Sequence, residues 1–274
     1  MHKIRDFELP AHCEDNIARK LAMMYNGSTV EMLSKNTIPT CYEESGYPVM
    51  CCGENASHIK REFLENGAVL DIVAAEKLSA AGIDVGLEKV EGCASPSAEY
   101  YVKNDDTITG ISGIRAKKIS CRENAVVLSV FLPEKTPASY MYENKDGDRF
   151  LVFASDFQFS SDNLNYFNNY YRQEMLCDGI EWVGRKKLPA VCKGNPNLYM
   201  LASRNDTSLS ILLINIFMDD VINPVIELGE DYEEITFENC GGCLDGKSVI
   251  LTNIDSYGFA AFEVRKGNIG WDKI

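Results

Sequence analysis

The chain has 274 residues, room for one large domain or two ordinary ones, and 45% of them are apolar, enough to bury a real core rather than stay disordered. Its 27 basic and 41 acidic residues leave a net charge of −14. The acidity is general: the stretch after Lys186 holds 7 basic and 13 acidic residues, a balance of −6, which leaves −8 for the stretch before it. A surface of this sign repels a phosphate backbone, so nucleic acid is excluded as a partner. Met1-His-Lys-Ile-Arg-Asp-Phe-Glu lacks the apolar centre of a leader peptide, and the longest apolar run, Leu209 to Met218, is too short to span a bilayer. A cytoplasmic chain with no membrane partner is expected. The ten cysteines are scattered without dense spacing and read as reduced thiols.

In chain order, Glu14 to Leu33 places Ile17, Leu21, Met24 and Tyr25 near helical spacing. Residues 37–42 and 47–52 read as short strands, with a helix over Ala56 to Leu64 that Ser57 caps. Gly67 to Ile72 is a third strand, and the helix over Val73 to Ala81 ends at Gly82. Alternating strand, turn and helix predict a parallel sheet, here a flavodoxin-like one. From Ser97 to Phe153 strands dominate: Tyr100 to Val102, Ile114 to Cys121, Ala125 to Phe131, Ala138 to Tyr142 and Arg149 to Ala154, with Asp146-Gly147 as a hairpin signal. Ser160 to Val183 reads as a helix with an aromatic face that packs on the sheet. After Lys186 six short strands follow, at Leu198 to Ala202, Leu209 to Phe217, Val225 to Leu228, Ile235 to Phe237, Lys247 to Leu251 and Gly258 to Val264. They predict a small antiparallel sandwich. The expected architecture is therefore α/β plus all-β, with an α/β domain over 1–186 and a β-sandwich over 187–274.

Several constellations invite chemistry. Val49-Met-Cys51-Cys52-Gly53 sits where a strand turns into a helix, a place that exposes a nucleophile and stabilises it at a helix N-terminus. Class I glutamine amidotransferases use such an elbow, Gly-x-Cys-x-Gly; this chain keeps Cys51 and Gly53 but has Val49 in place of the first glycine. A thiol nucleophile also needs a histidine base oriented by an acid. The histidines are His2, His12 and His58; His12-Cys13-Glu14 has the family's spacing but precedes the elbow, and His58 is followed by Lys60. A structural Cys51 is expected, with Cys51 or Cys52 as alternative nucleophiles. Cys240-Gly-Gly-Cys243 has redox or half-zinc spacing, but no second pair matches it and it falls in a glycine-rich turn. The acidic run Glu227 to Glu234 lacks the alternating ligands of a calcium loop and reads as a solvated connection. Asp71 ends a parallel strand, where ligands often sit. Asp156 and Asp219-Asp220 are acids in turns, but a glycosidase needs two facing carboxylates on a rigid scaffold and no pair is singled out. No metal or cofactor is expected.

Thr37-Ile-Pro-Thr-Cys-Tyr, Val49 to Ala56 and Gly67-Ala-Val-Leu-Asp-Ile-Val-Ala-Ala-Glu-Lys-Leu-Ser-Ala-Ala-Gly-Ile resemble the middle domain of bacterial β-galactosidase-like glycoside hydrolases. That domain is amidotransferase-like without its triad. Tyr142 to Phe153 is similar to its late hairpin, and Ile211 to Asp220 and Asp255 to Val264 resemble the first and last strands of the β-sandwich that follows. The match is in domain order over most of residues 30–265. The family's catalytic glutamates lie on an N-terminal (β/α)8 barrel, which alone takes about 250 residues, so no catalytic residue carries over. The resemblance implies a C-terminal, non-catalytic portion that serves oligomerisation and supports a missing barrel, with a homo-oligomer or that barrel as partner. Two rival readings stand beside it. One is a carbohydrate-binding module using exposed aromatics such as Tyr232, Tyr257 or Trp271; the other is a cysteine-dependent amidotransferase-like hydrolase.

Overall fold

The computed structural model describes residues 40–41, 49–51, 53–58, 61–65, 67–111, 114–157, 169–192, 195, 198–215 and 218–267. The helix expected over Glu14 to Leu33, the first part of the one expected over Ser160 to Val183, and Trp271 lie outside them. The architecture is of the α-plus-β kind, mostly strands in mixed and antiparallel sheets. The chain divides into two compact units, one built on Ser45–Lys186 and the other on Lys187–Ile274 together with an earlier stretch that holds Thr40–Cys41.

The first unit is organised by a seven-stranded sheet. In chain order its strands are β2 (Val49–Cys51), β3 (Ala68–Leu70), β5 (Ala98–Tyr101), β6 (Asp106–Thr109), β8 (Val126–Leu132), β9 (Thr136–Glu143) and β10 (Arg149–Phe153). Their spatial order is β2-β3-β10-β9-β8-β5-β6. β2, β3 and β10 are parallel, with Val49 and Phe150 both opposite Ala68; the pairings from β10 outward to β6 are antiparallel. β10 reads Phe-Leu-Val-Phe because both faces are covered. Phe150 and Val152 join the core under α1 (Ile72–Ala80), with Leu70, Ala75, Leu78 and Tyr140. Leu151 belongs to the opposite face, where α2 (Tyr170–Gly184) comes so close that a Cβ on Gly179 would meet Leu151 Cδ2 at 2.5 Å. A two-stranded ribbon of β4 (Leu87–Ala94) and β7 (Ala116–Cys121), with two bulges, completes the unit.

Two local expectations change. The helix expected over Ala56 to Leu64 is a pair of short 3-10 turns, Gly53–His58 and Arg61–Leu64, and Ser57 lies inside the first instead of capping a helix. Asn and Ser are residue types that compete with helical backbone bonds by their own side chains, and the sequence places Asn55 and Ser57 in this stretch. The strand expected over residues 37–42 supplies β1 (Thr40–Cys41), but to the other unit: it runs parallel to Leu201–Ala202. Pro39 precedes it, which suits an edge position.

The second unit packs a five-stranded sheet against a four-stranded one. The first runs β1-β12-β13-β18-β15, with β12 Leu198–Arg204, β13 Ser208–Asn215, β15 Glu234–Glu238 and β18 Phe259–Arg265. The second runs β11-β14-β17-β16, with β11 Ala190–Cys192, β14 Val225–Leu228, β16 Gly242–Asp245 and β17 Ser248–Leu251. Strict alternation sends Leu209, Ile211 and Leu213 of β13 and Ala260, Phe262 and Val264 of β18 inward, against Ile226, Leu228, Val249 and Leu251. Apart from β1, every pairing is antiparallel. Among the described residues no helix is long and apolar enough to cross a membrane.

Candidate functional site

The carboxyl edge of the parallel strands, where β2, β3 and β10 end, is the place to look for chemistry in a sheet of this kind. Asp71 stands there, one residue past β3, and is wholly buried. Its Oδ1 accepts the amides of Gly53 and Ala74, both at 2.8 Å, and its Oδ2 accepts that of Phe157 at 3.2 Å. One carboxylate thus caps α1 and ties it to the turn after β2 and the turn after β10. Burial drives its pKa up to about 7 from 3.8, against the pull of the three amides, and nearby Asp156 adds to the rise. Beside it, Ser155 passes its carbonyl to the amide of Ile72, and its buried Oγ has no hydrogen-bond partner.

A carboxyl group with a pKa near 7 suits general acid-base work. Asp71 nonetheless uses both oxygens on backbone amides and has no exposed surface. Its geometry is that of a clamp. Cys51 closes β2 and Gly53 follows in the left-handed region at φ +62°, so the backbone does turn sharply at the expected elbow. The Cys51 and His58 side chains, and all of Cys52, His2 and His12, lie outside the described residues.

A second buried polar cluster escaped the sequence reading. Glu99 of β5 accepts Arg172 Nε at 2.7 Å and Nη2 at 2.5 Å, Tyr101 Oη at 3.0 Å and Ser129 Oγ at 2.6 Å. Ser129 and Ser139 are linked at 2.7 Å, and Ser139 donates to Met175 Sδ. Both charges are buried, and the arrangement locks α2 onto β5, β8 and β9. The legible trace was Ser129 and Ser139, polar residues on inward positions of apolar strands.

The other candidates resolve one by one. Cys240 donates its thiol to the carbonyl of Ala261, and burial raises its pKa; Cys243 lies exposed on β16, so the pair opens no helix as a redox motif must. No cluster of three metal-ligating side chains occurs among the described residues. Within the acidic run, Glu230 is held by Arg204 at 3.0 Å and Lys266 at 2.7 Å, and Asp231 by Lys247 at 3.3 Å, so these acids serve local ion pairs. Tyr232, expected among the sugar-contacting aromatics, is instead a core residue: the inner faces of the sandwich enclose it and leave no ring face for a ligand. Tyr257 is 67% exposed at φ +55°.

No protein-family model and no curated protein sequence matches the chain. Its fold does have a counterpart. α-L-Fucosidase isoenzyme 2 from Paenibacillus thiaminolyticus superposes with a TM-score of 0.53 at 8% identity, over 88% of this chain and 44% of that one. A GH42 β-galactosidase from G. stearothermophilus follows at 0.46 and 13% identity, over 96% of this chain and 38% of its own. The β-galactosidase from Bacillus circulans sp. alkalophilus stands at 0.46 and 14%, over 88% and 37%. The fold thus resembles part of that α-L-fucosidase. The chain spans less than half the length of these proteins, and at such identities the likeness concerns the fold alone.

Proposed function

We propose that this chain is a non-catalytic, C-terminal-type portion of a β-galactosidase-like glycoside hydrolase, where it serves assembly and supports a carbohydrate-active barrel. What carries the reading is the partial correspondence: 88% of this chain matches 44% of an α-L-fucosidase. In this reading the first unit is a degenerate, flavodoxin-like amidotransferase domain. Its elbow persists as β2 and the turn at Gly53, and its strand-edge carboxylate, Asp71, has become a clamp. The partner is the barrel or a second copy, in the cytoplasm.

The test is direct. The purified chain should not turn over aryl galactosides or fucosides, and light scattering should show concentration-dependent association. Turnover that disappears when a single Asp or Glu is replaced would overturn the reading, as would a strict monomer at high concentration.

For the rival cysteine hydrolase, one of its two candidate nucleophiles, Cys52, meets a specific obstacle. For a nucleophile at Cys52, the amide that follows, Gly53 N–H, should receive the developing oxyanion. That amide already donates to the Asp71 carboxyl group, which would repel a second negative charge. The binding-module reading draws support from Tyr257, whose ring is exposed at the end of the sandwich.

A further inference from the structure

The sequence holds three Asp-Gly pairs: Asp146-Gly147, Asp178-Gly179 and Asp245-Gly246. Glycine after aspartate leaves the next backbone amide open to the aspartyl side chain, because no Cβ stands in the way. The fold guards two of the pairs. At Asp146 the carboxylate accepts Arg61 Nη2 at 3.1 Å, and the Gly147 amide donates to the carbonyl of Asn144 at 3.1 Å. At Asp178 the carboxylate accepts Lys103 Nζ at 2.6 Å, and Gly179 lies inside α2, where its amide belongs to the helical ladder. Asp245 and Gly246 are placed differently. Both are exposed; Asp245 ends β16, and Gly246 begins the two-residue turn to β17 at φ +57°, a place such turns keep for glycine. Among the described residues neither the Asp245 carboxylate nor the Gly246 amide has a hydrogen-bond or ion-pair partner, and Lys247, the other turn residue, is drawn to Asp231 at 3.3 Å.

We infer that Asp245-Gly246 is a site of spontaneous backbone modification, at which aspartate converts to isoaspartate. The Gly246 nitrogen attacks Cγ of the protonated side chain: a C–N bond forms, the C–OH bond breaks, and the hydroxyl leaves with the amide proton as water. Water then reopens the cyclic imide at either carbonyl. One opening restores aspartate; the other routes the main chain through the side-chain carbon and frees the α-carboxylate. Water is lost and regained, so no cofactor or oxidant is needed. Ring closure asks Asp245 to swing its carbonyl out of the extended conformation, and its position makes that a local event. β16 is an edge strand paired with β17 alone, and at its last residue only the Asp245–Ser248 pairing has to open. The same swing at Asp178 breaks the interior of α2, and at Asp146 it breaks the contacts to Arg61 and Asn144. The product adds a carbon to the main chain beside a turn whose length sets the register. β16 has little room for the shift: a Cβ on Gly242 would lie 2.3 Å from the Ile250 carbonyl oxygen, and Leu244 packs on the sandwich core. Modification therefore loosens β16 from its sheet. This chemistry is independent of the carbohydrate and assembly readings.

Incubation of the full chain for several weeks at about pH 5, where free carboxyls are partly protonated, followed by digestion and peptide mapping, tests this. Isoaspartate leaves the mass unchanged, so the product is a second chromatographic peak of identical mass that resists endoproteinase Asp-N. Deamidation at Asn26-Gly27 or Asn66-Gly67 changes the mass and is counted apart. The chain held unfolded in guanidinium gives the unprotected rate of each pair. In the native chain Asp245 should convert about tenfold or more faster than Asp146 and Asp178, since each of those must first give up at least one hydrogen bond. Asp245→Glu, whose longer side chain does not close the same ring, should keep the native circular dichroism and lose the product. No conversion at Asp245 in the native chain, equal rates at the three pairs, faster conversion at Asp146 or Asp178, or a product peak that persists in Asp245→Glu would each overturn the site.

Discussion

Asp71 offers the sharpest quantitative test. Asp71→Ala strips acceptors from three buried or part-buried amides at once, those of Gly53, Ala74 and Phe157. Each unsatisfied buried N–H costs about 1–3 kcal/mol, and partial relaxation of the turn after β2 offsets some of this, so a loss of about 3–5 kcal/mol is expected near pH 4, where the folded group is protonated. Asp71→Asn keeps an acceptor at Oδ1 for Gly53 and Ala74 but sets Nδ2, a donor, against the Phe157 amide, for a loss of about 1–3 kcal/mol. The pH dependence separates the two views of the group. Its folded-state pKa is raised from 3.8 to about 7, so between those values the folded chain holds a proton that the unfolded chain has released. Stability from this group is therefore fully present below pH 3.8, falls as pH rises toward 7 and is flat above, by an amount on the order of 4 kcal/mol. Urea unfolding followed by circular dichroism at pH 5, 6, 7 and 8 measures it, and subtraction of the Asp71→Asn series removes the contribution of the other acids. A wild-type curve parallel to that of Asp71→Asn, or one that rises with pH relative to it, would refute the reasoning; so would an Asp71→Ala variant within 1 kcal/mol of wild type in a further measurement near pH 4.

Other outcomes follow from the same geometry. Glu99→Gln should cost about 3–5 kcal/mol because it strands the buried Arg172, while Glu99→Leu with Arg172→Leu should recover much of that loss; urea midpoints compare the two. Gly179→Ala should destabilise by about 1–3 kcal/mol in thermal melts despite alanine's better helix propensity, because its Cβ would lie 2.5 Å from Leu151. Iodoacetamide at pH 8 with peptide mass mapping should label the exposed Cys93 and Cys243 quickly and spare Cys192, whose thiol is pushed up to about 12 by burial. Slow labelling of Cys51 and Cys52 is expected as well, and fast reaction at either near neutral pH would revive the amidotransferase alternative.

The parts of this fold that local chemistry determines were readable in advance. α1 announced itself through the run Ala74-Ala75-Glu76-Lys77-Leu78 and Gly82 just beyond its end, while the cap that Asp71 provides was not read in advance. β13 and β18 carried alternation strong enough to fix which residues face the core. What escaped depends on distant partners. β4 holds Glu88, Lys89, Glu91 and Gly92, and only pairing with β7 makes it a strand. β1 is two residues long, and nothing local tells which sheet it joins. Asp71 was legible as a strand-end acid, but its bonds to Gly53 and Phe157 come from residues brought in by other strands. The aromatics make the point most simply: Tyr232 and Tyr257 are the same residue type in the same acidic surroundings, and only packing buries one and exposes the other.

The pairing of Thr40–Cys41 with β12 alters what a domain boundary means in this chain. The polypeptide contributes an edge to the sandwich, leaves to build the whole of the seven-stranded sheet, and returns to finish what it began. During synthesis that first edge must wait until β12 emerges before it has a partner. A cut after Lys186 keeps the residues of the first unit together but divides the second: the later fragment keeps its core but bares the backbone edge of β12, from Leu201 to Ala202, as a template for unwanted strand addition. The two units are therefore separate as packed bodies yet interleaved as a thread, and separating them cleanly calls for a circular permutation that carries residues 40–41 across to the sandwich rather than for a single scission.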